Sequence, residues 1–229
     1  MATSANYQGI KRENTIIEKL VSSKLFWFLF CSFFFTYPLV RSLYRELPAE
    51  LPRYGQLTPF NLTDENGQNY GSYDLKGQVY MANFHFTSCP TICADLMRKL
   101  QVVQKRIKGL DKSLVKIVSF TVDPKTDTPK KLFKYARDLK ASPYVWKFLT
   151  GENTVLEKLL VDGFKVPMGK KEGEADMYDI AHTGKIVLVD HNGDIRGYYS
   201  TDDTSINKLM IDLGLLVNRE QIKYSKKGS

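Results

Sequence analysis

"GQVYMANFHF", residues 77–86, runs directly into "TSCPTICADLMRKLQVVQKRIKGL", residues 87–110, and the change of period between them decides the fold. The first stretch is predominantly apolar and is bounded by Gly77 and Thr87, the pattern of a strand buried on both faces. In the second, Ile92, Leu96, Leu100, Val103 and Ile107 recur at helical spacing and make one face. Pro90 suits a first helical turn, where its missing N–H costs nothing. A buried strand passing into an amphipathic helix opens a crossover unit of an α/β domain.

The alternation continues downstream. "VKIVSFTV" (115–122) reads as a second strand, closed by Asp123-Pro124. "TPKKLFKYARDLKA" (128–141) reads as a helix with Thr128 at its cap, helped by Asp127, and Pro129 at its first position. "VWKFLTG" (145–151) is a short strand, and "NTVLEKLLVDGF" (153–164) a helix capped by Asn153 or Thr154. "KVPMGKKEGEADMYDIAH" (165–182) is polar and reads as a surface loop. "GKIVLVDHNGDIRGYY" (184–199) is a hairpin turning at Asn192-Gly193, and "DDTSINKLMIDLGLLV" (202–217) a last helix. Upstream, "FNLTDENGQNYGSYDL" (60–75) is another hairpin, turning at Asn66-Gly67. Parallel crossovers followed by a late antiparallel hairpin predict a thioredoxin-like α/β fold: a mixed sheet flanked by helices, with N-terminal and late β-hairpins.

The chain of 229 residues is 43% hydrophobic and 25% charged, enough for one full core. Its net charge of +8 gathers at the ends, and no basic stripe interleaved with aromatics points to nucleic acid. Residues 25–40, "LFWFLFCSFFFTYPLV", carry no charge and lie between Lys24 and Arg41. As a helix they span about 24 Å, slightly short of the roughly 20 residues a bilayer core takes. No small-residue cleavage site follows, so an uncleaved anchor is expected over residues 25–41, with Cys31 as one of its buried apolar side chains. Lys11, Arg12, Lys19 and Lys24 precede it, which by the positive-inside rule puts the domain across the membrane. The expected setting is a bacterial inner membrane with the domain facing the periplasm. The organisation is then a basic segment 1–24, the anchor, a Pro-containing linker 42–58, the folded domain 59–218 and a basic tail 219–229.

Cys89 and Cys93 are four residues apart where the strand gives way to the helix. If the helix begins near Cys89, both lie on one face at an N-terminus that favours thiolate. That spacing permits a reversible disulfide or a two-thiolate metal clamp. Of the three histidines, His182 enters the strand that would pass beside this helix start, while His191 sits at an exposed turn. Two thiolates and one imidazole suit Cu(I), which is soft and satisfied by few ligands. With His85 as a fourth donor the set would also suit zinc, although His85 reads better as an ordinary strand residue.

The stretches "NFHFTSCPTICADLMRKLQ", "VSFTVDPKTDTPKKLFKYA", "KFLTGENTVLEKL" and "AHTGKIVLVDHNGDIRGYY" together resemble the Sco/SenC family, in the family's order, over residues 60 to 200. The resemblance implies a thioredoxin-like, membrane-anchored protein of cytochrome c oxidase copper-site assembly. It implies that Cys89, Cys93 and His182 bind copper, as Cu(I) and also as Cu(II), and that Asp123 sits close by, orienting His182 or binding Cu(II) weakly. Read from its own surroundings, Asp123 is equally a turn-capping aspartate before Pro124. The partners implied are the copper-site subunit of the oxidase or another copper acceptor, and an upstream copper donor. Two features depart from the family pattern: Ala94 replaces a frequent proline, and His85 stands where a small residue is common. A metallochaperone is the leading reading. A thiol-disulfide oxidoreductase that reduces the acceptor's cysteines is the alternative, and a redox or copper sensor a third. A peroxidase of the peroxiredoxin type lacks the arginine it would need near the reactive cysteine.

Overall fold

The computed structural model describes residues 16–43, 50–89, 92–111, 113–166 and 177–227. The chain divides into two compact units, Met1–Ala49 and Glu50–Ser229. In the first, helix α1 (Ile16–Ser22) precedes helix α2 (Lys24–Leu43). The Trp27 indole N–H donates to the Val21 carbonyl at 2.8 Å across the junction. Phe28, Phe33, Phe34 and Phe35 all stand exposed around α2. Among the described residues no helix is long and apolar enough to cross a membrane.

Among the described residues the second unit is built on one sheet of eight strands. These are β1 (Gly55–Gln56), β2 (Asn61–Asp64), β3 (Asn69–Gly71), β4 (Val79–His85), β5 (Val115–Thr121), β6 (Trp146–Thr150), β7 (Ile186–Val189) and β8 (Asp194–Tyr199). Their order across the sheet is β1-β8-β7-β4-β5-β6-β2-β3. β4, buried along its whole length, is central. It pairs in parallel with β5 from Val79–Val115 to His85–Thr121, and antiparallel with β7 from Tyr80–Val189 to Asn83–Ile186. Both expected hairpins are present as β2–β3 and β7–β8. Their Asn-Gly turns need left-handed backbone at Gly67 (φ 78°) and Gly193 (φ 83°), which only glycine takes without strain.

Strand side chains alternate between two layers. Met81 and Ile117 face helices α3 (Ile92–Arg106), α4 (Pro129–Asp138) and α7 (Asp203–Lys227), where Leu96, Leu100, Val103, Leu132 and Leu209 are buried. Phe84 and Phe120 face the opposite layer, with Leu156, Leu160 and Phe164. That layer contains helix α5 (Asn153–Glu157), which widens into a π-helical stretch over Lys158–Gly163, and helix α6 (Met177–His182).

Several local expectations need correction. "MYDIAH" was expected in a loop and is helix α6; six residues are too few to show a helical period, and burial of Ile180 and Ala181 against the core holds it. Residues 167–176 of the same loop lie outside the described residues, as do Pro90 and Thr91. Thr128 stands at the cap of α4 without a side-chain capping bond, and Glu152, not Asn153 or Thr154, occupies the cap of α5. Residues 50–57 do not hang free as a linker. β1 pairs with β8, Arg53 meets Asp194 at 2.7 Å, and Glu50 meets the buried Arg196 at 3.0 Å.

Candidate functional site

Parallel pairing puts the ends of β4 and β5 side by side, so the loops leaving them are neighbours. The Val122 N–H donates to the His85 carbonyl at 2.8 Å at this edge. One loop contains Cys89 and runs into α3; the other is "DPKTDTP", residues 123–129. β7 runs the opposite way, so the segment that enters it arrives at the same edge. There His182 closes α6, which packs beside α3 and β4. Thr183 and Gly184 (φ 59°) turn the chain into β7. The backbone thus brings His182 to the cysteine edge, while its side chain lies outside what the structure describes.

Cys89 and Cys93 are not bridged by a disulfide, Cys89 being half-buried and Cys93 buried. Contrary to the expectation that both lie on one helical face, they are not equivalent, because α3 starts at Ile92. Cys89 lies ahead of α3, in a turn closed by its own N–H donating to the Phe86 carbonyl at 3.1 Å. Cys93 is the second described residue of α3, and its N–H donates to the Cys89 sulfur at 3.5 Å. The Cys89 sulfur therefore takes the place of a capping oxygen at the helix start. Burial, and then the hydrogen bond to the Cys89 sulfur, push the Cys93 thiol up to about 12, although the Phe86 N–H beside it pulls the other way. The expected preference for thiolate at a helix start is reversed at Cys93, because at 1% exposure desolvation outweighs the helix end. A soft cation, or oxidation, must displace that proton.

The other candidates lie at the same end of the sheet. Asp123 accepts the Thr126 N–H at 3.3 Å, so its carboxylate caps its own turn. His85 is buried directly after Phe84 in β4, its ring stacked on Tyr135 (centroids 5.5 Å, 8°) and edge-on to Phe148. Among the described residues neither ring nitrogen makes a hydrogen bond of good geometry, the Phe120 backbone giving only a weak contact. Burial lowers its pKa to about 4, with the facing Asp127 carboxylate only partly opposing, so the ring is neutral near pH 7. Among the described residues no three His, Cys, Asp or Glu side chains converge as a metal cage would require.

Sequence reasoning missed the hub of this edge. Asp127, expected to help cap α4, is fully buried and turned inward. It accepts the Thr87 N–H at 3.0 Å, the Thr87 hydroxyl, and the Thr121 hydroxyl at 2.7 Å. The Lys131 ammonium lies 3.4 Å away. Thr87 is 40 residues from Asp127, and no local pattern signals such a pair.

A mixed sheet with a dithiol at the start of the helix after its central strand defines a thioredoxin-like dithiol protein. Within that class the chain belongs to the SCO1/SenC family, whose profile matches residues 50–214. It is 32% identical over 160 residues to the SCO1 protein homolog of Bacillus subtilis, covering 69% of this chain and 81% of that one. It is 30% identical over 151 residues to a Stutzerimonas stutzeri protein designated as a candidate copper-binding protein, covering 65% and 71%. Among solved structures it is similar to BsSco, described as a member of the Sco family of cytochrome c oxidase assembly proteins with a disulfide switch. The TM-score is 0.60 at 29% identity, covering 74% of this chain and 96% of that one.

Proposed function

We propose that this chain is a copper metallochaperone: it takes up Cu(I) at Cys89, Cys93 and His182 and passes it to the copper site of a cytochrome c oxidase. The observation that carries this reading is the adjacent, unbridged cysteine pair, with the Cys93 N–H on the Cys89 sulfur, at the edge where α6 ends in His182. Thiolates select soft Cu(I), and a low coordination number leaves room for an incoming thiolate before a resident one departs. The copper-binding designation of the Stutzerimonas relative and the oxidase-assembly family of BsSco favour this cargo and this acceptor. An upstream copper donor is implied. The test is an anaerobic Cu(I) titration of the full chain against a competing chromophoric chelator. His182→Ala should weaken one-to-one binding and abolish delivery; unchanged affinity removes His182 from the ligand set.

A second reading draws on the inequality of the two thiols. A half-buried Cys89 beside a buried Cys93 suits disulfide exchange, in which the more accessible sulfur attacks first. As a reductase the dithiol would lose two electrons and two protons to become a disulfide, while an acceptor disulfide becomes two thiols. That activity needs only the cysteines and should survive His182→Ala.

The anchor is part of the same proposal. Helix α2 exposes Phe and Leu side chains all round, from Leu25 to Val40, as a lipid-facing helix does. The charge-free run is short, so spanning relies on Lys24 and Arg41 snorkelling to the two interfaces. The setting is a bacterial inner membrane, with the domain in the periplasm. Full-length protein should stay in the membrane pellet after an alkaline carbonate wash; release into the supernatant overturns the anchor.

A further inference from the structure

A buried carboxylate is costly unless its oxygens are satisfied, and Asp127 is satisfied by the cysteine loop, by β5 and by the Lys131 ammonium of α4 at 3.4 Å. Two of its contacts go to Thr87, through the N–H and the hydroxyl; a third goes to Thr121 at the end of β5. Thr87 is the first central residue of the turn from Phe86 to Cys89, closed by the Cys89 N–H on the Phe86 carbonyl at 3.1 Å. The N–H of the same Phe86 faces the Cys93 sulfur. The Asp127 grip therefore acts on a turn whose backbone touches both cysteines. From the other side Asp127 is itself held, its N–H donating to the Asp123 carbonyl at 2.8 Å.

We propose that Asp127 is a positioning residue for the dithiol: through Thr87 it holds the 86–89 turn so that the Cys89 sulfur stays on the Cys93 N–H, with the two sulfurs presented together. The inference rests on the copper reading only for its first readout. With the grip in place, the pair is set for a shared soft cation before the cation arrives. Without it, the 86–89 turn loses a hydrogen bond that ties it to the loop after β5. The stability of every state of the pair that needs both sulfurs together, metal-bound or disulfide, then changes.

The test goes through Thr87, because removing the carboxylate would take the acceptor from the buried Thr121 hydroxyl, which would keep only the Asp123 N–H at 3.0 Å, and threaten the fold. Thr87→Val removes the hydroxyl and preserves shape and the N–H bond; Thr87→Ser restores the hydroxyl. Thr121→Val removes a hydrogen bond to the same carboxylate from the strand side. Each full-length variant is measured for Cu(I) affinity by anaerobic competition, for the midpoint potential of the dithiol/disulfide couple in glutathione buffers, and for Tm. Thr87→Val should lower Cu(I) affinity about tenfold and shift the potential, with Thr87→Ser within about twofold of wild type, the scale expected for a residue supporting metal ligands. Thr121→Val should lower Tm while leaving affinity and potential in place. Wild-type values in Thr87→Val, or equal shifts in Thr121→Val, overturn the positioning role and leave Asp127 a structural residue. If the wild-type chain takes up no Cu(I), the proposed function fails, and the potential alone decides the grip.

Discussion

Cys89→Ser and Cys93→Ser are each expected to cost more Cu(I) affinity than the roughly 10–100-fold that follows loss of a residue behind a ligand. The reason is the donor atom. A serine oxygen is hard and stays protonated, whereas Cu(I) is soft and takes thiolate. Removing one sulfur also leaves a single thiolate where two share the charge of the ion. The two variants should differ in their side effects. Cys89 is half-buried at the rim, so its serine costs the fold little; Cys93 is 1% exposed, and its serine buries a hydroxyl away from water. Anaerobic competition against a chromophoric chelator, run on both variants beside the wild type, reads the loss. Binding retained within a factor of about 100, the upper bound for a residue behind a ligand, in both variants means that the thiols are not the ligands, and the chaperone reading falls.

The largest stability effect is expected at Phe120. Its side chain is fully buried near the end of β5. Its ring contacts Phe60 and Phe164 edge-on, at 5.7 and 5.2 Å, and Phe84 at 6.2 Å. It thereby joins the N-terminal hairpin, the central strand and the π-helical layer. Phe120→Ala removes the ring from a site that cannot collapse, because strands on both sides hold the backbone. The cost is about 3–5 kcal/mol, which lowers Tm by roughly 6–20 °C for a domain of this size. Phe133→Ala on the exposed side of α4 is the control, since Phe133 is 42% exposed and its loss should change stability by about 0.5 kcal/mol or less. Comparable Tm shifts in the two variants would mean that the aromatic cluster does not carry the fold as described. Calorimetry or circular dichroism melts measure both.

The elements that were legible in the sequence share one property: their signals are local, carried by a continuous stretch of chain. β4 and α3 announce themselves by a change of apolar period, and the two hairpins by Asn-Gly turns whose left-handed glycines need no tertiary help. The elements that were not legible are short or depend on distant partners. Helix α6 is six residues long and held by core contacts at Ile180 and Ala181. The π-helical widening at Lys158–Gly163 leaves no trace in composition. The pairing of Gly55–Gln56 with β8 involves a segment whose three nearby prolines read as linker.

The site divides in the same way. The type and spacing of Cys89 and Cys93, and the order of motifs that marks the SCO1/SenC family, belong to the sequence by itself, because they are covalent facts of a local stretch. The state of those residues belongs to the tertiary structure. Whether Cys93 favours thiol or thiolate depends on how much water reaches it, and burial under the turn decided for the thiol. Whether Asp127 caps α4 or grips Thr87 depends on parallel pairing that sets β4 beside β5 across 40 residues of chain. Periodicity and caps are short-range and can be read along the chain. Desolvation and long-range hydrogen bonds exist only once the sheet has brought its strand ends together.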